Sequence, residues 1–298
     1  MRWCVLCLAM LTSAVTPEAE LKRNESGLRA YIIALGNASE LQASIQRSLR
    51  LRAVVWPAVN GSNALLQAQE DVTLYARHTL LHGRHDHMQL GSAGALGCLL
   101  SHMEIWRHML TVPEEDPVAI FEEDAWPLPE GHLVVEGTLE DAARWASNWS
   151  AIKLTREAGH SMVQQGAWVH HTPRLASCAT KGGCLTFGTR GYLLTREGAA
   201  TLLRHTRLLD VQVDALLCLA DAYDPTFRML WSTQSTCVEP AWLQRGSSTW
   251  DGCLKCFIPP LAPYYLLAAL LLLVGTRCTR RWCQQQPRHE SPADLVKL

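Results

Sequence analysis

The sequence predicts an α/β fold: a Rossmann-type, mostly parallel sheet with helices on both faces, followed by one C-terminal transmembrane helix. Three observations point there. Short β-branched runs alternate with amphipathic segments from residue 28 onward, the pattern of strands joined by crossover helices. One of those runs ends in three acids, Glu122-Glu123-Asp124. Residues 261–275 (LAPYYLLAALLLLVG) carry no charge, and Arg277, Arg280 and Arg281 follow at once.

In chain order, residues 29–35 (RAYIIAL) read as a buried strand. Residues 39–51 place Leu41, Ile45 and Leu49 on one helical face. Residues 53–59 (AVVWPAV) form a second strand whose proline suits an edge or a bulge. The stretch 61–90 is irregular and histidine-rich, so His78, His82, His85 and His87 are expected on a solvated loop and not at a metal. Residues 97–110 make an amphipathic helix with Leu99, Met103, Trp106 and Leu110 on one side. Residues 118–121 form a short buried strand that delivers the acidic triplet. A helix over 136–149 and a strand over 150–154 follow, then a glycine-interrupted strand over 184–195. Thr195 caps a helix through Leu203. Residues 211–222 form a further helix and 226–230 a last strand.

The ends and the composition predict a compartment. Residues 1–14 have a basic start, a short apolar run and small residues, the layout of a signal peptide. Residues 257–275 are just long enough to span a thin bilayer, and the arginines behind them put the tail, 276–298, in the cytosol. Four of the five asparagines, Asn24, Asn37, Asn60 and Asn148, open N-x-Ser sequons. Eleven cysteines fit an oxidising compartment. Seven of them fall in the expected lumenal part, so one at least stays unpaired, and Cys98 on its buried helix is the choice. The expected organisation is a body over 28–240, a cysteine-containing juxtamembrane segment over 241–256, and a type I membrane protein of the endoplasmic reticulum or Golgi. The net charge of −1, from 27 basic and 28 acidic side chains, gives no electrostatic footprint for nucleic acid.

The chemistry centres on the triplet. In open α/β sheets ligands gather beyond the C-terminal strand ends, and carboxylates there suit a hard divalent cation. On its own, such a triplet is more often solvated or part of a turn. No Gly-x-Ser-x-Gly elbow supports a hydrolase.

Residues 94–106 (GALGCLLSHMEIW), a short turn, and residues 119–127 (AIFEEDAWP) resemble glycosyltransferase family 25, which includes lipooligosaccharide and procollagen galactosyltransferases. RAYIIAL, VVWPAVNG (54–61), AIKL (151–154), FGTRGYLLTREGAATLL (187–203) and DVQVDALL (210–217) resemble further family segments in the same order. The resemblance implies a GT-A fold and an inverting transfer of a hexose, galactose by analogy, from a UDP-sugar donor to a glycan or glycoprotein acceptor. It also implies Mn²⁺ or Mg²⁺, held by Asp124 with Glu122, while Glu123 borders the nucleotide ribose. Asp214 matches a Val-Asp pair and is the choice for general base or acceptor contact; a helix-start cap is its structural alternative. Ser101 and His102 match the family helix and are expected to bond to backbone. Ala95, Glu123 and the Asn37 loop depart from the family pattern, where Glu, Asp and arginines are usual. A catalytically impaired, membrane-anchored binding or adhesion module is therefore the alternative.

Overall fold

The computed structural model describes residues 27–238 except 68–69, 87, 147, 156–162, 165–167, 181–183 and 186–187. The chain runs through β1 (Arg29–Ala34), α1 (Ser39–Leu49), β2 (Arg52–Pro57), α2 (Gly61–Gln67), α3 (Leu74–His82), α4 (Ala93–Thr111) and β3 (Val118–Glu122). It continues with β4 (Trp126–Pro127), α5 (Gly131–Trp145), β5 (Ala151–Lys153), β6 (Val163–Gln164), β7 (Trp168–His170), β8 (Leu175–Cys178) and β9 (Cys184–Leu185). The last elements are β10 (Gly191–Leu194), α6 (Arg196–His205), α7 (Val213–Tyr223), β11 (Met229–Ser232) and β12 (Cys237–Val238).

Eight strands form one sheet in the order β2-β1-β3-β10-β5-β11-β8-β7. Helices cover both faces, each with its own core. Leu99, Met103 and Trp106 of α4 pack with Leu202 of α6 and Leu217 of α7 on one face. Leu41, Ile45 and Leu49 of α1 pack with Val135 and Ala142 of α5 on the other. The strand period of two divides β3 between them: Val118 and Ile120 join the first core, Ala119 and Phe121 the second. By the same alternation Glu122 leaves the strand on the α4 side.

The sheet corrects the expectation of a mostly parallel one. β1–β2, β1–β3 and β5–β11 are parallel, but β10 runs antiparallel to both its neighbours, β3 and β5, and β8 runs antiparallel to β11 and β7. Parallel pairing needs a crossover connection. Between β5 and β10 the described elements are short strands and no helix, so β10 re-enters in the opposite sense.

The expected C-terminal transmembrane helix is also corrected. Among the described residues no helix is long and apolar enough to cross a membrane. The longest, α4, has 19 residues and carries Glu104 and Arg107. Over the described residues the fold is thus a mixed α/β sheet with no such helix. Residues 1–14, 241–256, 257–275 and 276–298 lie outside the described residues.

The stretch 61–90 holds two helices where a loop was expected. Thr73 caps α3, its hydroxyl accepting from the Ala76 N–H at 3.1 Å. The rings of His78 and His82 meet on this helix in a tilted contact, with centroids 4.5 Å apart. The helix escapes periodicity because Leu74 and Leu81, 82% and 75% exposed, face away from the core while Ala76 and Thr79 are buried. Helix α4 begins four residues before its expected start, because Ser92 caps it, accepting from the Ala95 N–H at 3.1 Å.

Candidate functional site

A cavity of about 330 Å³ opens beyond the C-terminal ends of β1, β2 and β3. Ile33 and Leu35 form one side, residues 58–62 after β2 another, and Gly94, Gly97, Cys98 and Ser101 of α4 the floor, with Glu122 and Glu123 at the strand end. The α4 pattern read from the sequence builds this floor residue by residue. A Cβ on Gly97 would lie 2.5 Å from the Val59 carbonyl oxygen and 2.7 Å from the Gly61 nitrogen, and one on Gly61 would overlap the Ala93 carbonyl. Two bare α-carbons therefore let the β2 loop lie directly on the helix. Ser101 fastens it: its hydroxyl accepts from the Val59 N–H at 2.8 Å and donates to the Gly97 carbonyl at 2.7 Å.

The expected backbone-bonding role holds for Ser101 but not for His102. His102 is fully buried and bonds to side chains. Its Nδ1 lies 2.8 Å from the Tyr192 hydroxyl and its Nε2 lies 3.3 Å from Glu122 Oε1. The Trp106 indole N–H donates to the same Tyr192 oxygen at 3.0 Å. Glu122 Oε1 also accepts from the Thr189 hydroxyl and, at 3.8 Å, from the Cys98 thiol. Burial alone would raise the Glu122 carboxyl, but the hydrogen bonds from His102 and Thr189 and the charge of Arg190 hold the group below its usual range.

The other predicted site residues stand around this group. Glu123 is exposed, and its Oε2 accepts from the Leu35 N–H at 3.2 Å, bridging the ends of β3 and β1. Asp124 Oδ2 pairs with Arg190 Nε at 3.2 Å. Asp214, in the first turn of α7, reaches across to the loop before β10, where its Oδ2 accepts from the Gly188 N–H at 2.9 Å. The α7 cap position is Gln212, whose side chain makes no cap bond, while Asp214 Oδ1 accepts from the Ala215 N–H at 2.7 Å in the first turn, so Asp214 also does part of the work of a helix-start cap. Burial pushes the Asp214 carboxyl up and Glu122 adds to this, against the Gly188 bond and the buried Lys153. Burial likewise raises the Cys98 thiol, and the charges of Glu122, Asp214 and Asp124 raise it further. Cys98 is a free thiol, as expected; Cys178 is disulfide-bonded.

A segment of 122 residues, 41% of the chain, is 30% identical to a glycosyltransferase 25 family member from Anopheles gambiae. The chain is a distant, partial relative of a glycosyltransferase. The match spans 19% of that protein's length, and no protein-family model matches the chain.

The cation that the family resemblance implies needs oxygen donors. On donor chemistry Glu122 and Asp124 fit, although Arg190 already pairs with Asp124. A second set, Cys98, His102 and Glu122, places one sulfur, one nitrogen and one oxygen within 4.8 Å of one another. That mixed set suits a softer metal than Mn²⁺, and both His102 nitrogens are committed to side chains. Thr189, Arg190, Tyr192 and Lys153 escape sequence reasoning as site residues. Thr189, Arg190 and Tyr192 lie within the segment quoted for its resemblance (187–203), and Lys153 within AIKL.

Proposed function

We propose that the chain is a metal-dependent inverting glycosyltransferase that moves a hexose, galactose by family analogy, from a UDP-sugar to a glycan or protein hydroxyl in the secretory lumen. The observation that carries the reading is the place of Glu122, at the C-terminal end of β3 and lining the cavity, with Asp124 two residues further on. In this reading Asp124 and Glu122 hold Mn²⁺ or Mg²⁺, which supplies positive charge against the departing diphosphate. The cavity takes the nucleoside part of the donor, with Glu123 near the ribose. Asp214 receives the acceptor proton, and its raised carboxyl suits that work at neutral pH. The four sequons and the disulfide-bonded Cys178 support a lumenal setting.

The test is transfer or hydrolysis of UDP-galactose by the full chain with Mn²⁺, beside an Asp124→Ala variant. Activity in the wild type and its loss in the variant support the reading. If neither binds UDP in the presence of Mn²⁺, the enzyme reading is lost. One observation favours the runner-up, an impaired relative kept as a binding module: Arg190 already neutralises Asp124. Binding of UDP without turnover would select it.

A further inference from the structure

We propose that His102 is a positioning residue, a neutral imidazole protonated on Nε2, which fixes Glu122 so that Oε1 is committed to the protein and Oε2 alone serves the cavity. The inference deepens the reading above, because Glu122 is there a ligand of the donor site.

The donors and acceptors leave one self-consistent arrangement. The Trp106 indole N–H can only donate, and at 3.0 Å it donates to the Tyr192 oxygen. The hydrogen of Tyr192 then has one acceptor among the described residues, Nδ1 of His102 at 2.8 Å. A nitrogen that accepts carries no proton, so the neutral ring is protonated on Nε2, which donates to Glu122 Oε1 at 3.3 Å. The alternatives leave orphans. A proton on Nδ1 strands the Tyr192 hydrogen, and a bare Nε2 would face the carboxylate with lone pair against lone pair. All of this is fully buried at Trp106, His102 and Tyr192, where an unmet polar group is costly.

Glu122 is fixed at the end of this chain. Its Oε1 takes Nε2–H, the Thr189 hydroxyl and the Cys98 thiol, and an oxygen that accepts three hydrogens bears none itself. Oε2 has no hydrogen-bond partner among the described residues, and Glu122 lines the cavity with its side chain 24% exposed. The two oxygens of one carboxylate are thus divided between structure and ligand. Helix α4 supplies the floor of the cavity and, one turn further on, the group that aims its acid.

The test uses the full chain labelled with ¹⁵N-histidine, with His102 assigned by the signal lost in His102→Gln. Long-range ¹⁵N–¹H spectra should show a protonated Nε2 and a bare Nδ1. A proton on Nδ1, protons on both nitrogens, or an Nε2 shifted by a bound metal would overturn the proposal. UDP affinity with Mn²⁺ gives a second readout. His102→Gln, whose amide can accept from Tyr192 and donate to Glu122, should stay within about threefold of wild type, while His102→Leu should bind about tenfold more weakly. Equal binding by His102→Leu would remove the positioning role. If the wild type binds no UDP, the donor-site reading fails, and the nitrogen spectrum alone decides the proposal.

Discussion

The Val59 N–H donates to Ser101 Oγ across 2.8 Å, and this bond joins the loop after β2 to the third turn of α4. Around it the backbone of residues 59–61 lies on Gly97 with no side chain between. The cavity wall and its floor are therefore one packed unit.

Gly97→Ala should destabilise the protein, although alanine is the better helix former by about 1 kcal/mol. Its methyl would meet backbone atoms of Val59 and Gly61, which cannot rotate aside. We expect a net loss of about 1–3 kcal/mol in urea denaturation, together with weaker UDP binding. An unchanged midpoint would show that the loop simply lifts off.

Glu115 predicts a pH effect remote from the cleft. Burial would raise its carboxyl, but hydrogen bonds from Tyr31 and Arg29, with the charges of Arg29 and His108, hold it below its usual value. A folded-state value below the unfolded one gives stability that is present above the unfolded value and is lost as pH falls through the folded one. Glu115→Gln should therefore cost about 1 kcal/mol or more at neutral pH, with the difference from wild type closing as the pH drops below about 4. A difference that stays constant down to acid would rule out this origin.

Arg190 competes with any cation for Asp124. Arg190→Met should tighten Mn²⁺ binding about threefold to tenfold, measured by titration calorimetry on the nucleotide-free protein. Unaltered or weaker metal binding would place the cation elsewhere.

Asn60 predicts a modification effect. Its side chain accepts from the Ser62 and Asn63 N–H groups at the start of α2, and the residue is exposed on the cavity wall. Asn37, whose side chain accepts from the Ser39 N–H, is not among the cavity-lining residues. A glycan on Asn60 should block UDP binding, and enzymatic removal of the glycan should restore it. Mass spectrometry of the Asn60 peptide paired with a binding assay checks this.

The first three sheet strands and α1 are legible in the sequence because their buried faces leave unbroken apolar runs or a four-residue step. The Gly-x-x-Gly-Cys-x-x-Ser-His pattern is legible as a resemblance to a family, but its physical meaning is not. His102 and Tyr192 lie ninety residues apart, and no local spacing announces their bond. Strand direction is equally silent: β10 reads as a buried strand whichever way it runs. Helix α3 was hidden by leucines that face solvent. The acidic triplet was located correctly at a strand end, yet its three carboxylates part at once, toward His102, Leu35 and Arg190.

The place of β10 has a consequence for synthesis of the chain. Phe121 pairs with Gly191, seventy positions later, so the middle of the sheet is filled by one of its last strands to be made. Until that strand emerges, β3 and β5 each present an open edge, and open edges recruit strands from other chains. A nascent or truncated chain ending before residue 191 should therefore be prone to aggregation and dependent on chaperones, whereas one ending after β11 holds every strand of the sheet.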